Sequence, residues 1–314
     1  MAFKMSVQKY SGKISEVEIG TGEKSIKIGG ESTLPFYSFD GDTGNTQKVG
    51  VEMLDVYPEG WTNEFKEIYK DVCDCPVKWS KYIEENLQPD FICLKLESCD
   101  PNGLDRSPEE CSQVVKNVVE SVNLPVIIAG CGNHEKDAKV FEKVAQVVDG
   151  NNCLFLAATE DNYKIVGAAS TMAYSHKVAA ESSVDINLAK QLNVLLTQLG
   201  VKPENIVMNV GYSAVGYGFE YVASTMDRIR LAAFGQNDKT LQMPIVTPVS
   251  FETWNVKESI ASVEDEPQWG CVEQRGINME VSTATSALVC GANAVVLRHP
   301  KSLKTIKELV SELA

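Results

Sequence analysis

The chain has 314 residues, 44% hydrophobic and 23% charged, and a formal net charge of −14. That length buries a large core in one or two domains, and the acid excess argues against nucleic acid or an anionic membrane surface as a partner. The N-terminus lacks the apolar segment of a secretory signal, and no stretch approaches the roughly 18 apolar residues of a membrane span, so the sequence predicts a cytoplasmic protein.

The elements read in chain order begin with alternation. "ISEVEIG", "GTGE" and "KSIKIGG" predict a β-hairpin over residues 14–29. Apolar run, loop and helix then repeat. Eight strands are predicted: "LPFYSF" (34–39), "DFICLKL" (90–96), "PVIIAGC" (125–131), "CLFLAA" (153–158), "KVAAES" (177–182), "NIVMNV" (205–210), "PIVTPV" (244–249) and "NAVVLR" (293–298). Apolar residues at consecutive positions mark strands covered on both faces, hence a parallel sheet.

Helices fill the gaps. Ser107, Pro108 and Glu110 predict an N-cap, a first helical position and a capping box. "NLAKQLNVLLTQLG" carries a leucine stripe and stops at Gly200. Eight strand–helix units most simply close into an α/β (β/α)8 TIM barrel, residues 32–314, with residues 1–31 as a hairpin extension plugging its base. An open doubly wound sheet would need an early glycine fingerprint, which is missing. The segment "VGVEMLDV" (49–56) reads as an extra strand before the first helix and competes with 34–39 for the first place in the barrel. The stretch 251–270 is long for a loop, and long barrel loops tend to be functional.

Binding sites in such barrels lie at the C-terminal strand ends. These are Asp40, Glu97, Gly132 and Asn133, then Thr159 to Asp161, Glu181 and Ser182, Gly211 and Tyr212, Ser250 and Glu252, and finally Arg298 and His299. Several have plain readings. Glu160 or Asp161 would cap a helix, Glu97 would pair with Lys95, His134 would be a solvated first-turn residue, and His176 would lie near the barrel's base. No metal motif emerges: the three histidines are isolated and the nine cysteines form no C-x-x-C. "GYSAVG" is not a nucleophile elbow, because its second glycine comes one position late. The loop "GYSAVGYG" after the sixth strand therefore holds no acid, base or nucleophile.

Several long segments carry a family resemblance: "ATEDNYKIVGAASTMAYSHKVAAESSVDINLAKQLNVLL", "GYGFEYVASTMDRIRLAAF", "LQMPIVTPVSFETW", "FICLKLESCDPNGLDRSPEE" and "PVIIAGCGNHEKDA". Together they resemble the small subunit of the corrinoid iron–sulfur protein, a type that includes the delta subunit of archaeal acetyl-CoA decarbonylase/synthase. The resemblance implies a non-catalytic barrel subunit paired with a large subunit that holds an iron–sulfur cluster and a cobalamin domain. It implies that the pair carries a methyl group on cobalt, from methyltetrahydrofolate and its methyltransferase to acetyl-CoA synthase. Cobalamin would be shared with the large subunit, and this chain would hold no iron–sulfur cluster.

On that reading the smooth loop is a surface for a flat macrocycle. Gly211 and Gly216 permit close approach, and Tyr212 offers a flat ring with a polar tip. The expected corrin-facing residues are Asn209, Gly211, Tyr212, Ser213 and Gly216, with Thr159, Ser182 and Thr247 at other strand ends. Trp254 and Trp269 are expected as anchors for the partner. The competing reading is a pterin-binding barrel methyltransferase acting directly on methyltetrahydrofolate, with Asn133, Asp161 and Asn209 holding the pterin.

Overall fold

A computed structural model describes residues 5–313. It opens with an antiparallel hairpin, β1 (Val17–Ile19) and β2 (Ile26–Ile28). Eight parallel strands follow: β3 (Lys48–Leu54), β4 (Phe91–Lys95), β5 (Val126–Ala129), β6 (Leu154–Ala158), β7 (Lys177–Glu181), β8 (Ile206–Asn209), β9 (Val246–Thr247) and β10 (Ala294–Leu297). Their spatial order is β8-β7-β6-β5-β4-β3-β10-β9, and a parallel bridge from Met208 to Ile245 joins the two ends. The ring is a nearly closed (β/α)8 barrel with a separate N-terminal hairpin, as the strand pattern predicts.

The helices are α1 (Asn63–Tyr69), α2 (Pro76–Tyr82), α3 (Pro108–Ser121), α4 (His134–Val147), α5 (Tyr163–Gly167), α6 (Ile186–Leu199), α7 (Phe219–Gly235), α8 (Ser250–Thr253), α9 (Lys257–Ile260), α10 (Val272–Cys290) and α11 (Pro300–Leu313). Ser107 caps α3 in the predicted capping box, and Gly200 ends α6 at φ 111°.

Strand residues alternate between two cores. Phe91, Cys93, Ile127, Leu154, Val207 and Val296 point into the barrel, and their neighbours Ile92, Ile128, Phe155 and Ile206 pack against the helices. Val17, Ile19 and Ile28 join the interior cluster. The Asn152 side-chain amide, just before β6, donates to the carbonyls of Glu18 and Gly20 at 2.9 and 2.8 Å. The hairpin therefore closes the end where the strands begin. Inside that end the Phe91 ring occupies the space a side chain at Gly50 would need. Gly50→Ala is expected to cost about 1–3 kcal/mol by overpacking, read as a lower urea midpoint. An unchanged midpoint would contradict this packing.

Two strand assignments are corrected. Residues 34–39 form turns, and the first barrel strand is β3, which pairs with both β10 and β4. Pro35 has no N–H to offer a ladder. Tyr37 and Phe39 stay 46% and 48% exposed, whereas Val49, Val51 and Met53 are buried. The strand end is accordingly Asp55 in place of Asp40. The seventh strand shrinks to Val246–Thr247, since Pro244 and Pro248 flank it and neither can donate. The stretch 251–270 is no open loop but carries most of α8, then α9 and a short turn at Pro267–Trp269.

Candidate functional site

The strand ends open onto a mouth with two lobes. The larger cavity, of about 720 Å³, is lined by Glu52, Asp55, Trp61, Lys95, Arg106, Phe251 and Arg298 among others. The smaller, of about 310 Å³, is lined by Lys95, Gly130 to Gly132, Thr159, Glu181, Asn209, Tyr212, Phe251 and Glu252 among others. Lys95, Phe251 and Asn255 border both lobes.

Each wall follows from its element. Glu52 alternates into the barrel from β3 and is fully buried. Arg298, one residue past β10, answers it: Nε and Nη2 donate to the two carboxylate oxygens, both at 3.1 Å. The guanidinium also lies 4.3 Å from the Trp61 ring centre. The backbone N–H groups of Arg298 and His299 donate to Glu280 of α10 at 2.6 and 3.2 Å, so α10 fixes where β10 ends.

Lys95 stands between the lobes. Its ammonium lies 2.9 Å from Glu97, the predicted pair, and 5.3 Å from the Phe251 ring centre. Burial works against its charge, but Glu52 and Glu97 outweigh burial and raise its pKa. In the smaller lobe Asn209 Nδ2 donates to Glu181 at 3.1 Å, and burial raises the pKa of Glu181, Glu252 and Tyr212. The Tyr212 ring meets Phe251 edge-on, with centres 5.6 Å apart. The mouth is thus an aromatic shelf beside acids whose pKa values burial raises, a surface that suits uncharged amides and flat rings.

The expected residues divide. Thr159, Asn209 and Tyr212 line the smaller lobe. Gly211, at φ 107°, accepts no side chain easily and packs beside Val184, while its N–H donates to Asn209 Oδ1 at 3.1 Å. Ser182 and Thr247 are buried behind the strand ends, and neither hydroxyl has a partner. Ser213 is half-buried, and Gly216, at φ 86°, faces open space at the loop tip.

Other expectations change. Neither Glu160 nor Asp161 caps α5: Asn162 precedes that helix, its Oδ1 accepts from Thr159 N at 2.8 Å, and Asp161 pairs with His134 at 2.9 Å. Asn133 spends its side chain capping α4 through Lys136 N at 3.0 Å. Trp254 is buried, stacked on His299 and edge-on to Phe65, so it is no anchor for a partner. Trp269 is partly exposed beneath Lys257 and Arg275. The sequence reading missed Glu52, Trp61 and Phe251. A glutamate inside the apolar run "VGVEML" was the available signal, because a buried charge requires a partner.

His299 sits against this wall in a neutral state. Burial holds its pKa down at about 4, against the opposing pull of Glu273. Between pH 6.5 and 4 the unfolded chain binds the proton and the folded chain does not, so stability falls as pH drops through that window. The loss amounts to about 3 kcal/mol. The stability difference between wild type and His299→Gln should shrink from pH 7 to pH 4 in thermal melts, and parallel profiles would contradict it.

Among the described residues, no helix is long and apolar enough to cross a membrane. Dihydropteroate synthase from Xanthomonas albilineans matches the fold with TM-score 0.55 at 10% identity, over 95% of this chain and 98% of that one. The enzyme from Thermus thermophilus gives 0.53 at 12%, over 95% and 100%. At such identities the likeness is one of fold. The sequence says more. The chain is 33% identical to acetyl-CoA decarbonylase/synthase complex subunit delta of Methanocaldococcus jannaschii, over 96% of this chain and 75% of the relative. It is 31% identical to subunit delta 1 of Methanosarcina thermophila, over 98% and 72%. Residues 16–307 match the model of the CO dehydrogenase/acetyl-CoA synthase delta subunit, and the chain belongs to that family.

Proposed function

We propose that this chain is the small, non-catalytic barrel of a heterodimeric corrinoid methyl carrier in the reductive acetyl-CoA pathway. The carrier takes a methyl group from the methyltetrahydrofolate:corrinoid methyltransferase and delivers it to acetyl-CoA synthase. The observation that carries this reading is the near full-length likeness to delta subunits. The large subunit holds the iron–sulfur cluster and the cobalamin domain, and the barrel mouth faces the corrin.

The mouth fits such a group. A corrin is a flat ring fringed with neutral amides. Tyr212 and Phe251 offer apolar area, burial raises the pKa of Glu181 and Glu252, and Asn209 supplies a carboxamide. Cobalt supplies the nucleophile when the cofactor is bound, so the chain needs no general base of its own. Its residues shape and screen the mouth.

The pterin reading is weaker in this geometry. Of Asn133, Asp161 and Asn209, only Asn209 lines the mouth. Methyl transfer from methyltetrahydrofolate to free cobalamin separates the two. The isolated chain is expected to give no transfer above the uncatalysed rate, and saturable transfer by it would overturn the carrier reading.

A further inference from the structure

Three thiol-bearing segments converge behind the smaller lobe. Cys99 ends the turn Glu97–Cys99 after β4, Cys111 lies in the first turns of α3, and Cys131 follows β5. The carboxylate of Asp137, in the first turn of α4, stands among them. Its Oδ1 lies 3.3 Å from Cys131 Sγ and 3.9 Å from Cys99 Sγ. One ligand atom from each of these three residues falls within 4.8 Å of the others. Cys99 and Asp137 are buried, and Cys131 is half-buried. The backbone holds the carboxylate in place: Cys131 N donates to Oδ1 at 2.9 Å and Gly132 N to Oδ2 at 3.0 Å. Gly130 must lack a side chain, because a Cβ there would collide with this carboxylate.

The two S···O spacings fit a metal's ligand shell. Zinc bonds of about 2.3 Å to sulfur and 2.0–2.2 Å to oxygen make tetrahedral S···O edges of about 3.5 Å. The two observed S···O distances bracket that edge. We propose that Cys99, Cys131 and Asp137 form a binding site for a thiophilic divalent cation of the zinc class. Cys131 and Asp137 also line the smaller lobe, so water from the mouth completes the fourth position. Binding converts two thiols to thiolates, releases both protons to solvent and changes no oxidation state. The ion ties the segment after β4 to the loop after β5, and so fixes one wall of the mouth.

The site departs from the sequence reading because its ligands stand at positions 99, 131 and 137, a spacing that no local motif describes. Two neighbouring strand–helix units contribute to it, Cys99 from the turn after β4 and Cys131 and Asp137 from the loop and helix after β5.

The test is anaerobic titration of the reduced full chain with Co²⁺, in a Cys75→Ser/Cys271→Ser background that removes the more accessible thiols. We expect about one equivalent to bind, with thiolate-to-cobalt charge-transfer absorption in the near ultraviolet and release of about two protons. Cys131→Ser and Asp137→Asn should each weaken binding by more than about 100-fold, since even residues behind the ligands matter 10–100-fold. Circular dichroism of both metal-free variants reports whether they remain folded. Zinc should also protect Cys131 of the unmutated site from alkylation by iodoacetamide, read by mass spectrometry. Equal Co²⁺ binding in the parent and the folded variants would overturn the site, as would equal Cys131 alkylation with and without zinc.

Discussion

Replacing Arg298 by alanine is expected to destabilise the barrel by about 3–5 kcal/mol, the cost of leaving one partner of a buried ion pair alone. Glu52 is fully buried at the floor of the larger lobe, and Arg298 meets both its oxygens. The substitution also removes the guanidinium from the face of Trp61 and its 3.3 Å contact with the carbonyl of Ser250. A double replacement, Glu52→Leu with Arg298→Met, should regain most of the loss, because a packed apolar pair is often as stable as the ion pair it replaces. Urea unfolding of the two variants checks this. Equal losses in the single and double variants would mean that the pair is not what holds β3 to β10 at the mouth.

The second large effect concerns the aromatic shelf. In the proposed heterodimer, Tyr212→Ala is expected to weaken cobamide retention roughly 30-fold, the loss of about 2 kcal/mol typical of a central aromatic contact. Its ring lines the smaller lobe and is braced by Phe251. Gly216→Leu is the informative contrast. A Cβ there meets nothing within 4 Å, but φ is 86°. That variant should therefore cost about 1–3 kcal/mol of backbone strain and leave cobamide content per folded protein near wild type. Loss of cobamide from a folded Gly216→Leu protein, with retention in Tyr212→Ala, would move the contact from the shelf to the loop tip.

The fold was legible because buried parallel strands announce themselves. Runs such as "FICL" and "VVL" are apolar at every position, and caps such as Ser107 and Gly200 mark the helices between them. The first strand was ambiguous for a physical reason. "LPFYSF" is more apolar than "KVGVEML", yet it contains a proline that cannot join a ladder and aromatics that remain at the surface, whereas the glutamate and glycine of the true strand serve the interior. Gly50 makes room for Phe91, and Glu52 meets Arg298. Misplacing that strand hid the larger lobe, whose floor depends on Glu52, Asp55 and Trp61.

The smaller lobe was partly legible. Thr159 and Asn209 come at or just past the ends of recognisable strands and Tyr212 a little further on, so counting along the chain finds them. Phe251 was not visible, because its place depends on how α8 turns back over the mouth after β9. Cys99, Cys131 and Asp137 were invisible to any search for local spacing.

The central claim is that the barrel mouth works against a corrin held by a partner. Anaerobic purification of the tagged chain from its own cells, followed by light scattering and cobalt analysis, tests it most directly. The account predicts a one-to-one pair with an iron–sulfur protein that stays together at micromolar concentration, with an interface of the roughly 2,000 Å² class or larger and about one cobamide per pair. The chain emerging alone at micromolar concentration, without cobalt and without an iron–sulfur partner, would contradict it.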